Sequence, residues 1–148
     1  YPLQSFSKAR AVDFSEIPIL IEADDLSDLD LLKNLGEVIS KNVQEISSEK
    51  RAKLHLAAVF VNNFVNYLFQ VSSDILEKED LAFNLLKPLI HETVNKLDSL
   101  SPSGAQSGPA KRNDLKSIQK HLDLMENDST EKKVYQVISE ALIEKYHG

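Results

Sequence analysis

The spacing of apolar side chains along this 148-residue chain predicts a short α/β segment followed by helices. The β-branched apolar run Ile17–Ala23 predicts a strand, and Pro18 within it favours an edge strand or the start of a strand. Val43–Ile46 predicts a second short strand. A helical pattern separates the two runs, and this alternation of strand, helix and strand is typical of an α/β layer.

The helix between these strands is predicted from a cap and an apolar face. Asp25 or Ser27 is suited to cap its first turn, and the pattern ends near Lys41–Asn42. The apolar face consists of Leu29, Leu32, Leu35, Val38 and Ile39. We expect this face to pack against the sheet.

A long helix, which we call the spine helix, is predicted from Ser47 or Ser48 to about Lys78. At 1.5 Å per residue its length is roughly 45 Å. Its apolar positions are Leu54, Ala57, Ala58, Val61, Val65, Leu68, Phe69, Ile75 and Leu76. They surround most of the helix, which predicts burial on more than one side.

Further helices are predicted after the spine helix. In the first, Leu81–Leu100, Pro88 predicts a kink or a break where the Asn84 carbonyl would lose its partner. The stretch Ser101–Pro109 is rich in Gly, Ser and Pro and predicts a loop.

The last two predicted helices are Asp114–Met125 and Thr130–Tyr146, and Asp128 or Ser129 is suited to cap the second. No internal repeat is visible, and the chain as a whole is predicted to be mainly α.

Composition narrows the possible functions. A net charge of −6 without a cluster of basic residues argues against a nucleic-acid partner. The chain has no Cys, which excludes disulfides, thiolate metal sites and a Cys nucleophile, and we expect a cytoplasmic protein. The longest apolar run, Leu54–Val61, is interrupted by His55 and is shorter than the roughly 20 residues of a membrane span, so we expect no membrane partner.

Motifs for phosphate-binding loops and zinc hydrolases are absent, and no metal is expected. The acidic pairs Asp24-Asp25 and Glu79-Asp80 lie at apparent helix boundaries, where capping explains them.

A polar stripe interrupts the spine helix. His55, Asn62 and Asn66 are spaced by seven and four residues, which places them on one helical face with Asn63 beside it. Buried amides and imidazoles without hydrogen bonds cost about 1–3 kcal/mol each, so these groups need water, a ligand or a polar cluster. The alternative is a ladder of amides bonded to the neighbouring backbone.

The loop Gly104–Pro109 is a second candidate site. Its glycines let the backbone approach an anion, and Arg112 after it can fork onto a carboxylate or a phosphate. Such a loop is more often a simple connector. His121 lies seven residues after Asp114, a spacing that would let the carboxylate orient the imidazole, although surface histidines are common.

Three ordered motifs resemble a known family. They are Tyr1–Ser7 with Ala11–Phe14, His55–Asn63, and Gln106–Asp114 with His121-Leu122. Together they resemble an uncharacterised family of Rossmann-like oxidoreductases whose C-terminal half is a domain of unknown function. That family is similar in layout to pyrroline-5-carboxylate reductase, ketopantoate reductase, prephenate dehydrogenase and 6-phosphogluconate dehydrogenase.

The resemblance implies that the chain is the helical C-terminal part of a longer two-domain protein. Residues 1–46 would be a remnant of the nucleotide-binding α/β domain, and residues 47–148 an all-helical substrate and dimerisation domain. The longer protein would bind NAD or NADP, whereas this part alone would bind no cofactor and would be inactive. A homodimer and a small polar substrate are expected.

The resemblance also implies site residues. Pro2, Leu3, Gln4 and Ser5 would lie near the nicotinamide. His55 would donate or orient a proton, and Asn62 or Asn63 would hold the reacting oxygen. The opposite, substrate-binding wall of the cleft would be formed by Gln106, Ser107, Gly108, Pro109, Arg112 and His121. The family often has His at position 1 and Thr at position 107, so here Ser107 keeps a hydroxyl and Tyr1 receives no proton-transfer role.

Two other functions stay open. The dehydrogenase pattern Lys-x-x-x-Asn is missing, since Lys50 and Lys53 are followed four residues later by Leu54 and Ala57. This favours a ligand-binding or regulatory protein that retains the fold without catalysis. A helical module that serves only for dimerisation is the third possibility.

Overall fold

The computed structural model describes all 148 residues and is mainly helical with a small two-stranded sheet, which confirms the predicted fold class. By its internal contacts the chain forms two compact units, Tyr1–Tyr67 and Leu68–Gly148. The boundary between these units falls inside the spine helix, and the domain boundary expected after residue 46 stays a prediction.

The sheet of the first unit confirms both expected strands. Strand β1 (Ile19–Ile21) pairs in parallel with β2 (Val43–Glu45), with Ile19 opposite Val43. On the other edge of β1 the segment Tyr1–Leu3 runs antiparallel, where the Leu20 amide donates to the Tyr1 carbonyl at 2.9 Å. All of β1 is buried, so β1 is the centre of the core in this unit.

Helix α1 (Leu26–Ile39) connects the two strands and begins where the cap predicted it. The Asp25 carboxylate accepts a hydrogen bond from the Ser27 amide at 2.7 Å. The prediction of its packing face was wrong in part, since Val38 is 82% exposed and Gly36 is the buried residue. A Cβ at Gly36 would lie 3.0 Å from Val43 Cγ2, so the missing side chain permits the close approach to β2.

The spine helix extends over Ser48–Glu77 in three segments, α2 (Ser48–Ala58), a π-helical turn (Val59–Phe64) and α3 (Val65–Glu77). Ser47 caps it by accepting from the Lys50 amide. The predicted burial on more than one side was wrong for this chain, because no residue of the spine helix is buried. Its apolar residues are exposed or half-buried, so other elements of the chain cover them only in part.

The spine helix also has the length and the mean hydropathy, 1.2, of a helix able to cross a membrane. The sequence prediction considered only the short apolar run Leu54–Val61 and missed this property of the longer helix. A single such helix is weak evidence for a membrane, because core helices of soluble proteins meet the same criteria. The amides and the imidazole of the polar stripe would be costly in hydrocarbon.

The second unit follows the predicted order of helices, with corrections at Pro88 and in the segment predicted as a loop, where Pro102–Ala105 forms a short helix. A 3₁₀ turn (Phe83–Leu86) leads into α4 (Lys87–Asn95), and a further 3₁₀ turn (Lys96–Asp98) follows it. Pro88 does not kink this helix, because it lies in the first turn, where a missing N–H costs no hydrogen bond.

The remaining elements are α5 (Pro102–Ala105), a 3₁₀ turn (Ala110–Arg112), α6 (Leu115–Asp123) and α7 (Thr130–His147). Of the two caps predicted for the last helix, Ser129 is the one that caps α7. Asp114, which was predicted as the first residue of its helix, caps α6 instead.

Candidate active site

A cavity of about 490 Å³ in the first unit lies between the N-terminal extended segment and the spine helix. Its polar lining consists of Tyr1, Gln4, Ser5, His55, Asn62 and Asn63. Its apolar lining consists of Leu3, Leu54, Ala57, Ala58, Val59 and Val61. No Asp, Glu, Lys or Arg lines it, so this wall combines neutral hydrogen-bonding groups with an apolar surface.

Tyr1 is held in this cavity from both ends. Its main-chain nitrogen donates to the Leu20 carbonyl at 3.0 Å, which joins the segment to the buried strand β1. Its hydroxyl lies 3.1 Å from His55 Nδ1. This Tyr1–His55 pair was not foreseen, because the two residues are 54 positions apart in the sequence and only the fold brings them together.

The π-helical turn explains why two consecutive asparagines reach the same cavity. In an α-helix Asn62 shares a face with His55, whereas Asn63 is rotated by about 100°. A π-helical turn rotates less per residue, so Asn63 stays closer to that face, and such turns are frequent at functional sites. Both amides are exposed and open to a ligand. Asn66, the last member of the polar stripe, does not line the cavity.

The predicted cofactor-side residues lie on the opposite side of this cavity from the helix. Leu3, Gln4 and Ser5 line it, and the Gln4 side-chain oxygen accepts from the Ser5 amide at 2.8 Å. Pro2 does not line the cavity but bridges to Ile19 of β1. The structure therefore brings residues of two predicted sets, catalytic and cofactor-binding, to one place.

Glu22, Ser48 and Arg51 form a polar network beside this cavity. Hydrogen bonds from the Ser48 hydroxyl and amide hold the pKa of the Glu22 carboxyl below its usual range, and Arg51 lowers it further. Glu22 is therefore ionised at neutral pH. This network was not predicted from the sequence. Its only local signals were a carboxylate, Glu22, directly after a strand and a serine, Ser48, at the start of a helix.

The residues predicted for the substrate-binding wall lie in the second unit. Ser107, Gly108 and Pro109 line a cavity of about 310 Å³ together with apolar residues of α3 and α7. Gln106 donates through Nε2 to the Ser107 carbonyl at 2.9 Å, and Arg112 ends a 3₁₀ turn. Gly108 has φ +106°, which explains the glycine there. Their role as a wall of the active site stays a prediction.

His121 has a different partner from the expected one. Its Nδ1 lies 2.8 Å from the Tyr135 hydroxyl, and the two rings meet edge to face. The Asp114 carboxylate caps α6 and accepts from the Ser117 amide and hydroxyl at 3.1 and 2.7 Å. These bonds keep the pKa of Asp114 below its usual range. Because both carboxylate oxygens accept from Ser117, the carboxylate caps the helix instead of orienting His121.

Comparison with known proteins agrees with an oxidoreductase-like fold. Residues 17–142 match the domain of unknown function DUF2520, and the chain belongs to that family. This confirms the expected domain of unknown function, whereas its place in a Rossmann-like protein and the finer likeness to pyrroline-5-carboxylate reductase and 6-phosphogluconate dehydrogenase stay predictions. No curated protein matches the chain.

Two solved structures resemble it. A Bacteroides fragilis protein, named as a candidate NADP oxidoreductase, is 42% identical with a TM-score of 0.93 over 97% of this chain and 56% of its own. A Thermotoga maritima protein is 26% identical with a TM-score of 0.76 over 97% of this chain and 59% of its own. The chain thus spans a little over half the length of these structures.

Proposed function

We propose that the chain is the C-terminal substrate-binding and dimerisation part of a longer NADP-dependent oxidoreductase, the parent protein, which acts on a small polar substrate. The observation that carries this proposal is the Tyr1–His55 pair, which shares a cavity with Asn62 and Asn63. A hydrogen-bonded imidazole beside free amides is suited to proton transfer and to holding a carbonyl or hydroxyl oxygen.

His55 is the proton donor in this proposal. When the Tyr1 hydroxyl donates to Nδ1, the imidazole carries its proton on Nε2. Nε2–H can then donate to the carbonyl oxygen of the substrate and transfer its proton as the carbonyl is reduced, while the Tyr1 hydroxyl passes its own proton to Nδ1, so that the imidazole stays neutral and Tyr1 is reprotonated from solvent. The amides of Asn62 and Asn63 donate hydrogen bonds to the same oxygen and stabilise the negative charge that develops on it.

The residues of this chain fit the nicotinamide end of the cofactor. A nicotinamide needs an apolar surface for its ring and amide partners for its carboxamide; Leu3 supplies the first and Gln4 the second, while Ser5 adds a hydroxyl. NADP(H), when bound, supplies or accepts the hydride. The name of the Bacteroides fragilis relative supports NADP over NAD.

Cofactor binding is tested by calorimetry on the parent protein. We expect it to bind NADPH, and we expect Gln4→Ala with Ser5→Ala to weaken binding about tenfold through the loss of hydrogen bonds. Gln44→Ala, on the exposed β2 strand and outside the cavity, is the matched control and should leave binding unchanged. Absence of binding for both NADPH and NADH would refute the proposal.

A homodimer is the second element of the proposal. It is supported by the apolar surface that the spine helix leaves uncovered, such as Leu56 at 60% exposure and Phe60 at 59%. Apolar surface of this kind is typical of an interface.

Light scattering tests the dimer. The parent protein should have the mass of a dimer, and Leu56→Glu should weaken or abolish association because a charge would be buried in the interface. Leu26→Glu, at a residue 78% exposed on α1, is the matched control and should stay dimeric. A monomeric parent protein at all concentrations would contradict this expectation.

A further inference from the structure

The network of Glu22, Ser48 and Arg51 connects strand β1 with the start of the spine helix. Glu22 accepts from the Ser48 amide at 2.8 Å and from the Ser48 hydroxyl. One guanidinium nitrogen of Arg51 donates to Glu22 Oε2 at 3.2 Å and to Ser48 Oγ at 2.7 Å. The Arg51 and Glu22 side chains are 27% and 33% exposed, so the pair is partly shielded from water.

The same guanidinium faces Tyr1. Its central carbon lies 6.0 Å from the centroid of the Tyr1 ring, at the outer limit of a cation–π contact. Arg51 and His55 are four residues apart on α2 and therefore lie on the same side of the helix. A continuous set of contacts thus leads from Glu22 through Arg51 and the Tyr1 ring to His55.

We infer that Arg51 is a positioning residue: Glu22 and Ser48 fix its guanidinium against the Tyr1 ring, and this holds the Tyr1 hydroxyl at His55. The inference rests on the proposed function, because the pair it positions is the proposed proton donor. Arg51 does not itself line the cavity, so its effect on a reaction must pass through Tyr1.

The planar shape of the guanidinium makes Arg better suited than Lys to hold the Tyr1 ring in place. The backbone of Tyr1 is fixed by β1, but its side-chain torsions need a neighbouring surface to select one rotamer. A planar guanidinium can bond to Glu22 and Ser48 in its plane while its face meets the ring, which an ammonium cannot do. Since Glu22 is ionised at neutral pH, the guanidinium keeps its partner there.

Kinetics of the parent protein with Arg51→Met and Tyr1→Phe, alone and combined, test the inference. We expect Arg51→Met to lower kcat about 10- to 100-fold with little change in KM, because a displaced hydroxyl impairs the chemical step. In the Tyr1→Phe background the same change should alter kcat by less than about twofold. Lys53→Met, which removes an exposed ion pair with Glu49 on the same helix, is the control.

If the effects of Arg51→Met and Tyr1→Phe multiply instead, Arg51 acts on stability and not through Tyr1, and the inference is wrong. Glu22→Gln serves as a second variant, since it keeps an acceptor for Ser48 but weakens the bond to Arg51. It should reproduce the Arg51→Met phenotype in a protein whose fold is intact by circular dichroism.

Side-chain ¹⁵N spectra of histidine give a measurement that needs no turnover. Arg51→Met and Glu22→Gln should move the His55 ring signal toward its position in Tyr1→Phe, whereas Lys53→Met should not move it. An unchanged His55 signal in folded Arg51→Met would overturn the inference. A protein that shows the shift but binds neither NADPH nor NADH would refute the proposed function and leave the positioning role standing.

Discussion

Replacing His55 by Ala in the parent protein is expected to lower kcat about 100- to 10,000-fold, the range for loss of a positioned general acid or base. The change removes both the proposed proton donor and the partner of the Tyr1 hydroxyl. Steady-state oxidation of NADPH at saturating substrate measures it. Affinity for NADPH should change little, because His55 is proposed to contact the reacting oxygen and not the cofactor.

His91→Ala is the control for this experiment. His91 lies exposed on α4 in the second unit, so its loss should leave kcat unchanged. The same pair of variants separates an enzyme from a binding protein that retained the fold. A protein in which His55→Ala weakens ligand binding, while the wild type turns over no substrate with NADPH, would be a binder.

Replacing Leu20 by Ala is expected to produce the largest loss of stability in the chain. Leu20 is 2% exposed at the centre of β1, and removal of a buried Leu side chain costs about 2–5 kcal/mol, including the cavity left behind. In a domain of this size that loss lowers the unfolding midpoint by roughly 4–20 °C. Differential scanning calorimetry of the parent protein measures the shift.

Leu31→Ala provides the comparison, because Leu31 belongs to the same unit but is exposed on α1. Its midpoint should lie within about 2 °C of the wild type, since surface changes usually alter stability by less than about 0.5 kcal/mol. Equal effects of the two substitutions would mean that β1 is not the core of this unit.

Local signals in the sequence were sufficient for the order of elements. A β-branched run marked β1, and Asp25 and Ser129 were among the residues that marked the beginnings of helices, because a cap forms within three residues of its own backbone. Pro88 carries a local signal with more than one meaning, and of the predicted kink or break no kink is present. A proline within an apolar pattern fits a kinked helix as well as a helix that begins there, and only the turn before it decides.

Packing between distant segments could not be read from the chain. The spacing of apolar residues predicted an apolar face on α1. The close packing of α1 on β2 depends instead on Gly36, which has no side chain, and a hydrophobicity pattern does not reveal such a position. The exposed spine helix shows the same limit. Apolar residues indicate that a surface is buried in the native protein, but their pattern does not show whether it packs against the same chain or against another one.

The helical half of the candidate site was predicted from residue spacing, whereas Leu3, Gln4 and Ser5 on its other side were predicted only from the family resemblance. His55, Asn62 and Asn63 are linked by helical spacing, so one pattern revealed them together. Tyr1 and Arg51 were missed, because their relation to His55 depends on the path of the segment along β1 and on the entry of the spine helix. Neither depends on a short-range motif.

The π-helical turn at Val59–Phe64 has a consequence for comparing this chain with its relatives. A π turn accommodates one residue more than an α turn, so the pattern of residues that share a face in α2 is shifted by one position in α3. Faces assigned from Ser48 to Ala58 therefore do not extend to the residues after Phe64. A relative with one residue fewer here would align with a one-residue gap inside a continuous helix, and only one of the two adjacent asparagine positions would face its cavity.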